Sequence, residues 1–584
     1  MRLLRFNPSP KSRRLLVVLT GTACAAALAA SAMGNPSPHA SPSALPSALP
    51  SASSGAYVPA QLLSAARTSP SRVFRVILQG AGAGGETRVV SAVRAHGVSV
   101  GHRLGTIAGA SAAVTGRQLL QLAAAQGVAA ITLDRPVRLT DDSEDDSGGY
   151  SSDQQWPYAV KAERGWHKAA RGKLPTPPAI AIVDSGIQAN RADFGNGAGV
   201  LTQVTMVNTG TPNAPGDGYG HGTFVAGIAA GSAQGHAGTS PSAPLVSIDV
   251  LDDQGMGLTS DVVAACDWIV QNKAKYRIKV ANFSLQSSAP ASVFWDPLDR
   301  AVEKLWFDGV TVVASSGNYG TGDRPSGVLY APGNDPFAIT VGADDIGDTL
   351  RPGNDRAAPF SAWGYTLDGF AKPEISAPGR YMIGPVPDDS TLATTRPGSM
   401  VAPGYEQLSG TSFAAPVVSG AAAYLLALNP KWKPDDVKGA IMLAANPEPG
   451  ATPGSVGVGL VDVADSGEVS KPPNPNAALD RFVRPVPGAG PIQAFDSAAW
   501  QAAALTNPNW DSPTWNAKAW NAAAWGSAAW GSAAWGSAAW GSAAWGSAAW
   551  GSSTLAQQLA SGNAAWGSAA WGSAALADVP PDGP

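Results

Sequence analysis

The chain has 584 residues and a formal net charge of −4. That length excludes a single ordinary domain and leaves room for a large buried core. Only 14% of residues are charged, and with no basic surplus a nucleic-acid partner is excluded.

The chain starts basic. Arg2, Arg5, Lys11, Arg13 and Arg14 precede an apolar run of small residues from Leu15 to Ala30, and Ala30-Ser31-Ala32 offers a cleavage site. Residues 1–32 therefore read as an export signal, and the product as secreted or associated with the cell envelope. The apolar run is shorter than the roughly 20 residues a spanning helix needs. Ser12-Arg13-Arg14-Leu15-Leu16 loosely resembles a twin-arginine signal, so the export route stays open. There are two cysteines. Cys24 leaves with the signal, and Cys266 remains alone as buried filler in an apolar, helix-like stretch.

Residues 33–70 are rich in Ser, Pro and Ala and read as a disordered spacer. Residues 71–140 read as a small α+β domain. It has strands at Val73–Leu78 and Val128–Leu133, and helices at Arg88–His96 and Arg117–Ala125. An acidic run, Asp141-Asp142-Ser143-Glu144-Asp145-Asp146, opens a linker over 141–154.

Residues 155–465 alternate apolar strands with helical stretches. The strands include Ala179–Val183, Leu245–Leu251, Val280–Leu285, Val310–Ser315 and Ala338–Ala343. The helices include His221–Ala230, Ser260–Asn272, Pro297–Asp308 and Phe413–Ala427. This alternation predicts an α/β fold, a mostly parallel sheet with helices on both faces. A ligand site is expected at the carboxyl ends of the strands. Residues 466–493 read as a Pro-rich linker, and 494–577 as a tail of five-residue repeats.

Three phrases stand at ends of these elements. In AIAIVDSGI, Asp184 ends a strand. In GYGHGTFVAGIAAG, His221 enters a helix of small residues. In SGTSFAAPVVSGAAAYLL, Ser412 opens a helix whose early turns hold Pro416. Singly, each residue is a turn residue, a solvated histidine or an N-cap. Together, the order Asp, His, Ser is one of the known orders of the hydrolytic triad.

Residues 155–465 resemble the subtilisin-like serine proteases. The resemblance rests on DSG at Asp184, GHGT at His221 and GTSFAAP at Ser412. It is supported by NFSL at Asn282–Leu285, SSGN at Ser315–Asn318, ITVGA at Ile339–Ala343 and KPEISAPG at Lys372–Gly379. It implies a subtilisin-like fold and hydrolysis of protein or peptide substrates. Ser412 is the implied nucleophile, His221 its base and Asp184 the orienting carboxylate. Asn318, with the Ser412 backbone N–H, is the implied oxyanion donor. The strand at Ser284 and Leu285 is implied to pair with substrate. Gln286 stands where glycine is usual in the family, and Ser315 and Ser316 replace alanines beside Gly317. The primary specificity pocket is therefore expected to be smaller or more polar.

By position and pattern, residues 71–140 resemble an inhibitory propeptide, so the chain's own N-terminal domain is an expected intramolecular inhibitor. Its removal is expected between about Leu139 and Tyr150. The chemistry requires no cofactor. Structural calcium is common in the family, but no ligand loop assigns it here; Asp252-Asp253 and Asp344-Asp345 read as surface turns. Sedolisin-type proteases use an acidic base, which the intact GHGT argues against. A non-catalytic scaffold or an envelope-binding adhesin are the other classes compatible with parts of the chain.

The tail places Phe495, Trp500, Leu505 and Trp510 at one five-residue spacing that continues to Trp550. Such a spacing sets successive side chains about 140° apart on a helix, and on alternate faces of a strand. It loosely resembles pentapeptide repeats, with Trp in place of the usual smaller Leu or Phe. Between Ala498 and Ala577 the only charges are Asp511 and Lys518. Exposed, the tryptophans would form a large apolar patch. The tail is therefore expected either to pack on itself or to dock on the catalytic domain, a cell-envelope polymer or another copy.

Overall fold

The computed structural model describes residues 56–80, 84–139, 154–170, 172, 174–347, 355–368, 370–477, 479–485, 493–496 and 499–500. The expected export signal, most of the acidic linker and the repeats beyond residue 500 lie outside these.

The N-terminal domain runs α1 (Ala60–Thr68), β1 (Val73–Gly80), α2 (Gly85–Ala95), β2 (Val100–Leu104), β3 (Gly109–Thr115), α3 (Gly116–Ala123), β4 (Val128–Leu133) and β5 (Pro136–Leu139). Four strands form an antiparallel sheet in the order β2-β3-β1-β4. Strand alternation divides β1 between two cores. Val76 and Leu78 join the domain's own cluster, while Ile77 belongs to the core of the main body. The expected spacer ends sooner than residue 70. Helix α1 buries Leu62 and Ala66 in the small core, because two apolar positions four apart give a short helix a buried face.

The main body opens with α4 (Trp156–Ala159), α5 (Ala162–Ala170), β6 (Ala179–Asp184), β7 (Val200–Thr205), α6 (His221–Ala230), β8 (Leu245–Asp249), β9 (Met256–Leu258) and α7 (Thr259–Tyr276). It continues with β10 (Ile278–Phe283), β11 (Leu285–Ser287), α8 (Pro297–Phe307), β12 (Thr311–Ser315), β13 (Ile339–Asp345), β14 (Arg356–Ala357), β15 (Gly364–Tyr365), β16 (Ala371–Lys372) and β17 (Ile375–Pro378). Then follow β18 (Met382–Pro385), α9 (Thr391–Thr395), β19 (Met400–Ala402), β20 (Tyr405–Leu408), α10 (Thr411–Leu428), α11 (Pro434–Leu443), α12 (Val463–Ser466), β21 (Val483–Pro485) and β22 (Gln493–Phe495).

The central sheet has the order β14-β13-β12-β10-β6-β8-β7, with β17 beside β13. Its pairings are parallel except for the edge pair β13/β14. Every residue of β6, β8 and β12 is buried, as strands covered on both faces require. Helices α6 and α10 pack on one another, as do α7 and α8. Helix α10 is apolar and long enough to cross a membrane, but it is 94% buried and serves as a core helix. Cys266 on α7 is also buried, and burial pushes its thiol pKa up.

Residues 466–485 pack more closely than a linker would. Leu479 and Phe482 are buried, and the Asn476 side chain bonds Lys438 and Asp435. Proline content constrains the backbone without preventing side chains from packing. The first two positions of the five-residue spacing are also buried. The Phe495 ring lies edge-on to Phe337 at 5.2 Å, and Trp500 lies 4.7 Å from Phe370.

The N-terminal domain sits on α7 and α8. Asp134 accepts from Ser260 N at 2.9 Å and Ser260 Oγ at 2.7 Å, capping the first turn of α7 from another domain. His102 Nε2 lies 3.1 Å from the buried Asp261 carboxylate, and Thr106 N donates to Asp267. Tyr57 stacks on Trp295 at 4.1 Å.

These contacts are pH-sensitive in one direction. The hydrogen bond to Asp261 pushes His102 above its ordinary 6.5, with Asp134 adding to the effect. Burial pushes Asp134 up despite Ser260 and Arg75, and Asp267 up to about 6, with Glu86 and Lys304 nearby. Each group holds its proton more tightly here than in the unfolded chain. The stability they contribute is present at low pH and is lost as pH rises through about 6 for Asp267 and through a value above 6.5 for His102. Amide-exchange protection of β2 and the first turn of α7, corrected for intrinsic rates, should fall from about pH 5 to about pH 8. His102→Gln should flatten the upper part of that fall. Constant or rising protection would contradict the linkage.

Candidate active site

Strands β6, β10 and β12 are neighbours, and their carboxyl ends carry the residues singled out in the sequence. Asp184 is the last residue of β6. Ser284 lies between β10 and β11, and Asn318 follows β12 by three residues. His221 opens α6 and Ser412 is the second residue of α10. Parallel strands converge on one edge of the sheet, which brings these distant positions together.

Asp184 and His221 are both fully buried, with His221 Nδ1 2.7 Å from Asp184 Oδ1. Two glycines make that approach possible. Gly186 has φ +104°, and a Cβ there would lie 1.8 Å from Gly216 O; a Cβ on Gly222 would lie 2.1 Å from Gly186 O. The DSG turn and the start of α6 therefore touch backbone to backbone.

A residue without a sequence signal braces this contact. Asp217 is buried and accepts from Ser185 Oγ at 2.8 Å, Gly220 N at 2.7 Å, Thr223 N at 2.7 Å and Thr223 Oγ1 at 2.5 Å. Ser185 Oγ in turn accepts from Gly222 N at 2.9 Å. Burial pushes Asp217 up to about 6 against those donated bonds. Its sole sequence cue is an acid four residues before His221, too common a pattern to single out.

Ser412 Oγ donates to Ser284 O at 3.2 Å, and Ser284 Oγ donates to Ser412 O at 2.7 Å. Asn282 Nδ2 donates to Ser284 Oγ at 2.9 Å, while its Oδ1 accepts from Ser419 Oγ at 2.8 Å. This network ties β10 to α10. Phe413, next to Ser412, packs its ring 5.4 Å from His221 and 4.4 Å from Phe224, so α6 and α10 are held in register at the site.

Asn318 Oδ1 accepts from Thr411 N at 2.9 Å and Thr411 Oγ1 at 2.8 Å. Two donors on the carbonyl oxygen fix the amide orientation. Asn318 Nδ2 is buried and has no acceptor among the described residues. Ser315 and Ser316 are buried beside Gly317, whose N donates to Thr411 Oγ1 at 3.2 Å.

A groove beside Ser412 is occupied by the chain itself. Strand β5 lies between β9 and β11, antiparallel to both. Leu139 faces Leu285, Arg138 faces Gln286 and Val137 faces Ser287.

Asp252 and Asp344 depart from the expected surface turns, since both are buried. Asp252 does shape a turn, accepting from Gln254 N and Met256 N at 2.9 and 3.0 Å. Asp344 instead lies within β13, one residue before its end, where burial pushes its carboxyl up, helped by Glu448 and Asp355. Among the described residues no group of three or more His, Cys, Asp or Glu side chains is placed to hold a metal ion.

Comparison with known proteins gives a consistent assignment. The model of the subtilase family matches residues 177–464. Serine protease AprX of Bacillus subtilis (strain 168) is 33% identical over 296 residues, which span 49% of this chain and 65% of AprX. Subtilisin Savinase of Lederbergia lenta is 33% identical over 282 residues, covering 48% of this chain and 87% of that protein. Among solved structures, fervidolysin from Fervidobacterium pennivorans, a keratinolytic enzyme related to subtilisin, matches with a TM-score of 0.54 at 21% identity. That match covers 72% of this chain and 63% of fervidolysin, and bears on the fold, which is subtilisin-like α/β. The chain spans just under two thirds of AprX but most of the shorter Savinase, and on that near-full coverage it belongs to the subtilase family.

Proposed function

We propose that this chain is an exported serine endopeptidase that cuts its own N-terminal domain away. The observation that carries the reading is the buried 2.7 Å contact between His221 Nδ1 and Asp184 Oδ1, beside Ser412 and an Asn318 amide nitrogen that has no acceptor among the described residues. A serine hydroxyl is a weak nucleophile until a base takes its proton. Asp184 holds His221 in the tautomer whose other nitrogen is the base.

In the first half-reaction Ser412 Oγ bonds to the substrate carbonyl carbon while His221 accepts the hydroxyl proton. The carbonyl oxygen gains negative charge and receives hydrogen bonds from Asn318 Nδ2 and Ser412 N. His221 passes its proton to the amide nitrogen, the C–N bond breaks and the amine leaves. Water then attacks the acyl-enzyme, giving its proton to His221, which returns it to Ser412 Oγ as the ester breaks. The products are a carboxylic acid and an amine, so the balance requires only water.

Strand β5 supports the self-cleavage part. It occupies the groove as an added strand, hydrogen-bonded on both edges, as an extended peptide substrate binds. The N-terminal domain that ends in β5 then acts as an inhibitor until the chain is cut between about Leu139 and Tyr150. Ser284, Leu285 and Gln286 on one side and Ser315, Ser316 and Gly317 on the other form the walls that receive substrate.

Ser412→Ala should lose hydrolysis of peptide substrates and remain an uncut precursor, read by mass spectrometry of the purified full chain. A mutant that matures unaided would refute self-processing. A fluorophosphonate probe should label the wild type at Ser412 and leave Ser412→Ala unlabelled; no label on active protein would refute the nucleophile. Asn318→Ala should keep its labelling site while kcat falls ~100- to 1,000-fold with KM little changed. A loss confined to KM would assign Asn318 to ground-state binding instead.

A further inference from the structure

We infer that Gln286 and Tyr319 together close the pocket for the residue on the acyl side of the scissile bond, and restrict it to small side chains such as Ala or Ser. This rests on the endopeptidase reading and specifies its substrate class.

The direction of substrate follows from β5. Along that strand, Val137, Arg138 and Leu139 face Ser287, Gln286 and Leu285 in turn. The chain therefore advances toward Ser284, whose carbonyl oxygen accepts from Ser412 Oγ. A peptide bound in this register brings the residue after its Leu139 equivalent to the hydroxyl. In the chain's own sequence the residue after Leu139 is Thr140, a small one.

The side chain of that residue must enter between two stretches. One is Ser284 to Gln286, which follows β10. The other is Ser315 to Gly317, at the end of β12. Because β10 and β12 are adjacent parallel strands, the space between these stretches is a slot, and its depth depends on what spans it.

Gln286 spans it. Its Oε1 lies 2.8 Å from the point a Cβ on Gly317 would occupy, although Gln286 stands on the opposite wall. The edge of the Tyr319 ring lies 2.3 Å from the same point. Gly317, at φ +109°, presents only backbone there, so the two side chains fill the space its missing side chain leaves. Neither is free to swing out. Gln286 is 4% exposed. The Tyr319 hydroxyl accepts from Leu329 N at 2.9 Å, and its ring packs edge-on to Tyr330 at 4.9 Å. An aromatic side chain entering the slot would have to displace an anchored ring or a packed amide, and close-packed interiors yield little to such insertion.

The test uses the chain expressed in full and allowed to process itself, with peptides that carry Val-Arg-Leu before the varied residue, matching Val137 to Leu139. For wild type, kcat/KM for Ala at the varied position should exceed that for Phe by at least about tenfold. Gln286→Gly should shift the Phe-to-Ala ratio toward Phe by at least about tenfold, chiefly by raising the Phe value. Tyr319→Ala should move the ratio the same way, which keeps the inference testable if Gln286→Gly folds poorly. A wild type that prefers Phe, or ratios unmoved in a labelled, active variant, would overturn the pocket closure alone. Failure of wild type both to cleave either peptide and to take the fluorophosphonate label would overturn the endopeptidase reading itself.

Discussion

Asp184 and His221 are completely buried at hydrogen-bonding distance, and a buried carboxylate is tolerated only where its surroundings compensate for lost water. Much of the neighbouring structure follows from that requirement. Ser185 N donates to Asp184 Oδ1 at 2.9 Å. The Ser185 hydroxyl then connects to Asp217, which gathers the turn before α6. The glycines at 186 and 222 are needed because a single Cβ would separate the turn from the helix. Removing one polar group here leaves the others buried and unpaired, so the shell behaves as a unit.

The same logic links the helices to the sheet. Helix α10 begins at Ser412's neighbour and runs through the core, and its register is pinned by Ser419 on Asn282 and by Phe413 on Phe224. The two rings add roughly 0.5–1.5 kcal/mol beyond their burial. With Ser419 on Asn282, they make the position of the Ser412 hydroxyl depend on packing up to two turns along α10, rather than on a loop.

The sequence carried the parallel sheet because its strands are continuously apolar, and it carried α6 to the residue. The proposed site residues were legible because each sits in a phrase constrained by glycine, proline or close packing. What escaped has physical reasons. Strand β7 alternates half-buried and exposed residues at a sheet edge, so no apolar run marks it. Helix α1 is short, and the Ser/Pro/Ala composition before it hides the two residues it buries. In residues 466–485, Leu479 and Phe482 stand in a short stretch between Pro475 and Pro485, whose surrounding proline content masks them. Asp217 acts through main-chain donors that any sequence can supply. Side chains apart in sequence, such as Gln286 and Tyr319, approach the same point beside Gly317 only because two neighbouring strands end together.

The strand that fills the groove is covalently part of the same chain. A tethered segment presents itself at an effective concentration on the order of millimolar. It needs no recruitment, and its ordering is shared with the domain that carries it. Any free peptide below that concentration competes at a disadvantage, whatever its intrinsic fit. In the proposed reaction connectivity sets the order of events: the first bond to reach Ser412 belongs to the same chain, and foreign polypeptides follow once that tether is cut.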